Sequence, residues 1–441
     1  MQNISIRKKN NSFAFLAVAC ALIAILMIMR DVAGVAIPKY LFIGIAAIGC
    51  LFCEESDIYG LLAFITPIAN GISYTYIYAV ALLIIVIRKK HFSINKMGML
   101  SICSILVIEL LSAVRGGFDF AEFLRFSAIF LLTFGSMNEV CEEVDSRKVL
   151  QLFIAGYIGA MADLVLQMLT VYSFSDLLVL GVRLGNTREM LEIEEGIHLS
   201  YNPNGLAMVC LLAGSVSLIL VQKKRNIIYY AVGLFSVLIG ITTQSRAFIL
   251  GLAVGLVIII FSSSSPLKTK LLILASGFVV AFFANRFLSN YLLAFSGRMK
   301  ERDFSNGRFE IAIHYFNEMF RDPIRPFLGV GMQDYQIKSN YAMSAHNAIQ
   351  EILITWGILG LLLVIVLFIS ILSNAKKRNP SAGIIQYIPF ILLVVFKQTG
   401  QGFIDWPSML WFFVAFCAIT YQVDQKGRQL SDETDSIYAH I

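Results

Sequence analysis

The chain has 441 residues, of which 58% are hydrophobic and only 15% charged, and its mean hydropathy is +0.75. Water-soluble globular chains run at about 45–50% apolar and about 25% charged, so that class is excluded. The formal net charge is +6, and where the charges fall along the chain says more than their sum.

Apolar runs recur from end to end, and hydropathy predicts spanning helices over about 13–29, 33–53, 57–70, 72–87, 97–114, 120–138, 148–171, 204–221, 227–243, 246–262, 269–288, 347–373, 382–398 and 406–422. Runs near ~20 residues cross a hydrocarbon core of roughly 30 Å as helices, which satisfy their own backbone in lipid. The alternation expected of barrel strands is absent. The first run follows a basic start but ends in Met29-Arg30-Asp31 without a small-residue cleavage site, so it reads as a retained span. The third is short, and Asn70-Gly71 offers a re-entrant hairpin as an alternative. The expected fold is an all-α polytopic membrane protein with about 12–14 transmembrane helices and a large extracytoplasmic loop holding amphipathic helices, of the GT-C-like kind.

Lysine and arginine in short loops set orientation. Arg7-Lys8-Lys9, Arg88-Lys89-Lys90, Arg147-Lys148, Lys223-Lys224-Arg225, Lys268 with Lys270, and Lys376-Lys377-Arg378 fall in every second connection. Both termini are therefore expected in the cytoplasm. The chain divides into N-terminal spans (1–171), a loop and central spans (172–288), a large extracytoplasmic loop (289–346), C-terminal spans (347–422) and a polar cytoplasmic tail (423–441). In the large loop, Phe309, Ala312, Ile313, Phe316 and Phe320 repeat at helical spacing, which predicts an amphipathic helix at the membrane surface or on the bundle. Asp322-Pro323 ends it, and Gly329-Val330-Gly331 predicts a tight turn. Seven cysteines are scattered, and the single CxxC, Cys50 and Cys53, has no second pair, so core packing is expected there.

Arginines gather on the side where the charge rule does not want them. Arg183 and Arg188 lie in "GVRLGNTREM", near His198 and the pair Asn202 and Asn204. Arg246 opens a span, and Arg298, Arg302, Arg308, Arg321 and Arg325 fall in the large loop, with Lys397 and Asp405 near a further exterior end. His346, one of five histidines, and Asn347 precede the span that follows that loop. An interfacial arginine is commonly a snorkelling anchor, and Asn347, Asn202 and Asn204 are equally suited to capping and turns. A cluster of them instead suits an anionic substrate: the guanidinium pairs bidentately with phosphate, helix N-termini favour anions, and a neutral histidine can take a proton from a hydroxyl. Within the membrane, Glu122 and Arg125 are spaced to pair on one helix face, while Glu109 and Asp163 are either structural or part of a proton path. No DxD pair, histidine pair or nucleotide-binding loop is apparent, so neither a metal nor a nucleotide cofactor is expected.

In chain order, "RLGN", "NPNGLAM", "TQSRAFILGL", "NGRFEIAIHYF", "PFLGVGMQDY" and "AHNAIQEILITWGILGLLLVIVLF" resemble the O-antigen ligase and polymerase superfamily over roughly residues 180–370. The resemblance implies metal-independent, inverting glycosyl transfer from an undecaprenyl-diphosphate-linked oligosaccharide outside the bacterial plasma or inner membrane. It implies that Arg246 and Arg308 grip the diphosphate, that His346 activates the acceptor hydroxyl, and that Arg183 and Asn347 assist binding. The implied partners are the lipid-linked donor, membrane lipid and other polysaccharide-assembly proteins such as a flippase or chain-length regulator, with no nucleic acid. A polymerase of capsule, O-antigen or exopolysaccharide repeat units is the leading expectation, because such proteins are the more numerous kind. A ligase passing finished glycan to a lipid or protein acceptor, and a lipid-linked oligosaccharide flippase, are the alternatives.

Overall fold

The computed structural model describes residues 2–89, 93–116, 119–139, 144–173, 175, 202–223, 226–262, 267–287, 289–299, 307–333, 335–339, 343–399, 402–404 and 406–422. Among these the chain is a helical bundle with no named strand, and one isolated bridge joins Ile94 to Glu139. The helices are α1 (Gln2–Asp31), α2 (Lys39–Phe52), α3 (Glu55–Ile65), α4 (Tyr74–Arg88), α5 (Lys96–Gly116), α6 (Phe120–Phe130), α7 (Ser146–Val171), α8 (Pro203–Lys223), α9 (Ile227–Thr242), α10 (Arg246–Phe261) and α11 (Leu267–Phe287). They continue with α12 (Ser289–Met299), α13 (Arg308–Met319), α14 (Arg325–Leu328), α15 (Tyr335–Lys338), α16 (Ala348–Arg378), α17 (Ile384–Thr399) and α18 (Trp406–Thr420). Each apolar range expected to span contains a helix, though 33–53 is helical only over the 14 residues of α2 and 57–70 passes from α3 into a 3-10 segment at Thr66–Gly71. The run read as 120–138 is α6 extended through a π-helical turn at Leu131–Gly135 and a last short helix, Ser136–Asn138.

Five helices among the described residues are long and apolar enough to cross a membrane, and seven further apolar ones have 10–17 residues. Polar caps define the starts: Asp119 accepts from Ala121 and Glu122 N–H before α6, Asp145 from Lys148 before α7, and Asn226 from Ile228 before α9. Such side chains supply the acceptors that a helix N-terminus lacks. The middle of the bundle is α18, buried continuously from Ser408 to Tyr421, packed on α7, α16 and α17. Apolar side chains also cover the outside, among them Leu22, Leu83, Val107, Phe278, Phe282 and Leu362. That inverts the pattern of a water-soluble surface and is what a lipid solvent permits.

The two ends of the bundle differ. At one, Lys89 pairs with Glu55 (2.5 Å) and Glu139, Lys148 with Asp57, and Ser12 with the same Asp57, while Arg378 donates to the Glu139 carbonyl. The basic clusters at Lys89, Lys148 and Arg378, expected on one side of the membrane, thus meet at one end. The 31-residue helix α16 runs from that end to His346 at the other.

α16 is not the single smooth span that hydropathy predicts. Gly357 has φ +65° and ψ −168°, breaking the helix. The backbone of the large loop passes through the break: Gly329, also at positive φ, lies so close to Thr355 that a Cβ would collide with its carbonyl, and a Cβ on Gly357 would collide with that of Phe327. The carbonyls released by the break accept from the loop, Ile354 from Val330 N–H and Thr355 from Gly331 N–H, both at 2.9 Å. Unsatisfied backbone is costly away from water, so loop and break require each other. α5 secures the loop from its other side. Glu109 accepts from Met332 N–H (3.0 Å) and Trp356 Nε1–H (2.7 Å), and Ser112 Oγ donates to the Leu328 carbonyl (2.9 Å). Gln333 exchanges two 2.9 Å bonds with the Asp119 backbone.

Candidate functional site

At the end of the bundle away from Lys89 and Arg378, three distant segments converge. The first is the α9–α10 turn. Thr243 to Ser245 are buried, with Gln244 at φ +50°. Ser245 Oγ donates to Asn204 Oδ1 (2.9 Å) at the start of α8, and Asn202 Oδ1 accepts from Asn204 N–H (2.9 Å). The "NPNG" and "TQSR" stretches are thus one local structure, and the capping expected of Asn202 is present. Because Ser245 turns towards Asn204, no side chain caps α10, and Arg246 is its first residue, half-buried.

Arg308 is the second contributor. It opens α13 immediately after Gly307, whose φ of +72° makes the entry turn. Its guanidinium donates to the Thr399 carbonyl at the last residue of α17. Among the described residues no carboxylate forms a salt bridge with it. Burial and then the neighbouring Arg246 charge hold the Arg308 guanidinium below its ordinary pKa, so the two cations lie within electrostatic reach of each other.

His346 supplies the third segment. Its backbone is left-handed, φ +52°, which costs a residue with a Cβ on the order of 1–3 kcal/mol and persists only where the surroundings impose it. Asn347 imposes it from one side: Oδ1 accepts from Gln350 N–H (3.0 Å) and Nδ2 donates to the Gln398 carbonyl (2.9 Å). From the other side, Ala345 N–H donates to the Tyr335 hydroxyl (3.0 Å), which donates to Glu351 Oε1 (3.3 Å). Glu351 Oε2 in turn accepts from Ile404 N–H (2.7 Å). Burial, then the adjacent Glu351 charge, keep the Tyr335 phenol far above its ordinary pKa and so a donor. Ser344 Oγ lies 3.3–3.4 Å from the ring nitrogens of His346. Burial lowers the imidazole pKa, and the Arg308 charge lowers it further. The ring is therefore neutral at pH 7 and able to accept a proton.

Other candidates fall elsewhere. Arg183, Arg188, His198, Arg302 and Asp405 lie outside the described residues. Asn347 has both ends of its carboxamide in intramolecular bonds, and Ile349 N–H is also taken, by Gln398 Oε1 (3.4 Å). The start of α16 is therefore less open to an anion than the start of α10. His314 bonds the Ser339 carbonyl (2.8 Å), and Arg321 and Arg325 both pair with Glu318 (3.3 and 3.2 Å). Lys397 is buried, donating to the Gly402 carbonyl (2.8 Å) and Ser408 Oγ (2.6 Å). Arg125 donates to the carbonyl of Ala121 (3.3 Å), and Asp163 accepts from Gln167 (2.6 Å).

Tyr335 and Gln398 around the histidine had no signal of their own in the sequence. Glu351 carried one faint hint, an acid four residues after Asn347 at the mouth of an apolar run.

Residues 231–365, from within α9 to within α16, match the family model described as O-Antigen ligase. The matched stretch contains Arg246, Arg308 and His346, and it supports the O-antigen ligase/polymerase superfamily and glycan transfer of that general kind. No curated protein matches the chain.

Proposed function

We propose that this multi-pass membrane chain, whose residues 231–365 match the family model described as O-Antigen ligase, transfers glycan from a polyprenyl-diphosphate-linked oligosaccharide on the extracytoplasmic side of a bacterial plasma or inner membrane. The acceptor is the next lipid-linked repeat unit, so the product is a growing surface polysaccharide. The observation that carries this reading is the meeting of Arg308 and the His346-Asn347 pair at the end of α17, where Arg308 donates to the Thr399 carbonyl and Asn347 to the neighbouring Gln398 carbonyl, with the Arg246 charge acting on Arg308.

Burial and the Arg246 charge both disfavour the charged form of Arg308, and a bound diphosphate offsets both. In the reaction an acceptor hydroxyl oxygen attacks the anomeric carbon of the donor glycan. The bond from that carbon to the diphosphate oxygen breaks, and the electron pair leaves with the polyprenyl diphosphate. The hydroxyl proton passes to the imidazole of His346. Arg246 and Arg308 stabilise the charge that builds on the leaving oxygen, aided by the uncapped N-terminus of α10. Attack opposite the departing diphosphate inverts the anomeric centre. Asn347 acts on this reading by holding His346, and Arg183 remains an additional candidate for the donor. The charges sit at helix ends instead of lining a path through the spans, which favours a one-sided reaction over a flippase.

The test is transfer by purified protein in detergent, with a synthetic undecaprenyl-diphosphate oligosaccharide and a chelator. A ladder of products is expected from the native chain. His346→Ala is expected to lower kcat by about 10²–10⁴-fold, with donor binding kept. Arg308→Ala is expected to lower transfer by about 10²–10³-fold, with donor binding weakened. Product only after addition of a different acceptor would identify a ligase, and full activity of both variants would remove the mechanism.

A further inference from the structure

α13 has two unlike faces. One is bound to the bundle: Ile311 and Tyr315 are 2% and 1% exposed, the Ala312 carbonyl accepts from Gln350 Nε2–H (2.8 Å), and Tyr315 donates to the Met343 carbonyl. The other carries Phe309, Ile313 and Phe316, with Phe320 just past the helix; the three phenylalanines are 68%, 61% and 60% exposed. Phe327 continues the exposed apolar surface. A stripe of this size is unfavourable against water, so something apolar covers it.

The height of the helix identifies the cover. α13 is tied to the last residue of α17 through Arg308 and to the first turn of α16 through Gln350. Both are the ends of apolar helices, so α13 lies where the hydrocarbon core gives way to headgroups. Beside Gln350 the side chain of Ile349 is exposed, and the outer face of α16 continues apolar and exposed through Ile358, Leu362, Ile365 and Ile369. The helix that carries the stripe is joined to the start of this row, because Gln350, beside Ile349, bonds the Ala312 carbonyl. Its charged residues sit at its two ends, Arg308 and the exposed Glu310 in the first turn and Glu318 in the last, where Glu318 pairs with Arg321 just beyond the helix. An amphipathic helix of this pattern lies in the plane of a bilayer, its apolar face some 5–10 Å into the headgroup boundary.

We infer that α13 is an interfacial helix on the site's side of the membrane, with Phe309, Ile313, Phe316 and Phe320 in contact with bilayer lipid, and that this contact sets the depth at which Arg308 meets a lipid-borne diphosphate. The second half rests on the donor proposed above; the first half does not. Arg308 is the first residue of the same helix that carries the stripe, so its guanidinium cannot change depth without the phenylalanines changing theirs. A diphosphate on a polyprenyl lipid is confined to the headgroup level, and a helix held at that level presents its cation there without a search along the membrane normal.

Two measurements on the full-length chain in phospholipid vesicles test this. In the first, a photoreactive benzophenone side chain replaces Phe316, and adducts are identified by mass after illumination. Phospholipid adducts are expected. Adducts to another polypeptide, or recovery of the probe without any adduct, would overturn the interfacial placement. In the second, Phe316→Asp with Phe320→Asp is assayed with an undecaprenyl-linked donor in vesicles and with a short-chain, water-soluble diphosphate donor. KM for the membrane-borne donor is expected to rise about 10-fold or more as the apolar contact is lost, with kcat/KM for the soluble donor unchanged. An equal loss on both donors, or on neither, would overturn the depth-setting role. Failure of the native chain to use either donor removes the donor reading and the depth-setting role with it; the lipid adduct at position 316 still decides where α13 lies.

Discussion

His346 is held in a strained backbone by neighbours on both sides, and its imidazole feels two effects of one sign. Burial disfavours the protonated ring, and so does the Arg308 charge. A general base works while it is unprotonated, so activity falls as pH drops through its pKa. The acid limb of kcat/KM is therefore expected below the ordinary histidine value of about 6.5. Arg308→Gln removes one of the two depressing effects and is expected to move that limb upward in the activity that remains. Bound diphosphate offsets the arginine charge, so the limb in kcat should lie higher than the limb in kcat/KM. A profile with no limb between about pH 4 and 7 would take the proton-accepting role away from His346. The residue itself was legible: a rare histidine followed by asparagine at the mouth of an apolar run, in a familiar order of motifs. Its environment was not, because Tyr335 and Gln398 reach the segment around it from other elements.

Among the elements, α16 departs most from its sequence expectation. Hydropathy registers only that residues 347–373 are apolar, and glycine is neutral to that measure. Gly357 breaks the helix because the loop backbone occupies the space its Cβ would need, at a φ that only glycine adopts readily. Gly357→Ala combines that collision with a left-handed alanine, a cost on the order of 1–3 kcal/mol. A lower melting temperature in detergent and loss of transfer are expected together. Gly159→Ala is the control, since nothing lies within 4 Å of an added Cβ there. Equal melting temperatures for the two variants would mean that the loop does not depend on the break. At Gly329-Val330-Gly331, expected as a tight turn, the chain bends at Val330 between two glycines of positive φ, and its N–H groups close the carbonyls of Ile354 and Thr355.

Taken whole, the molecule builds its site from both halves. The matched stretch, residues 231–365, holds the three central side chains, yet its loop is gripped by Glu109, Ser112 and Asp119 from the N-terminal half, and Arg308 and the Asn347 cap by Thr399 and Gln398 from α17. Glu109 was read from sequence as either structural or part of a proton path. Its two acceptor bonds, to Met332 and Trp356, give it a structural task. Glu109→Ala leaves both donors without their partner, and each such loss costs about 1–3 kcal/mol. Thermal melts should show a marked drop, with transfer lost as the loop comes free. Glu109→Gln keeps one acceptor oxygen and is expected to fall between. Unaltered stability and transfer in Glu109→Ala would show that the N-terminal half does not hold the loop.

By itself the sequence determined the helical membrane class and the position of nearly every apolar helix, and it singled out the three residues proposed as the centre of the site. These follow from local quantities, namely run length, charge placement and motif order, which survive without knowledge of neighbours. Only the tertiary structure decided that Arg246, Arg308 and His346 meet, that Asn347 faces inward as a cap, that Lys397 is buried on Gly402 and Ser408, and that α16 is broken where the loop enters. Each of these depends on which backbone or side chain from elsewhere fills the adjacent space. Proximity across as many as a hundred residues is set by packing, and packing leaves no period in the chain.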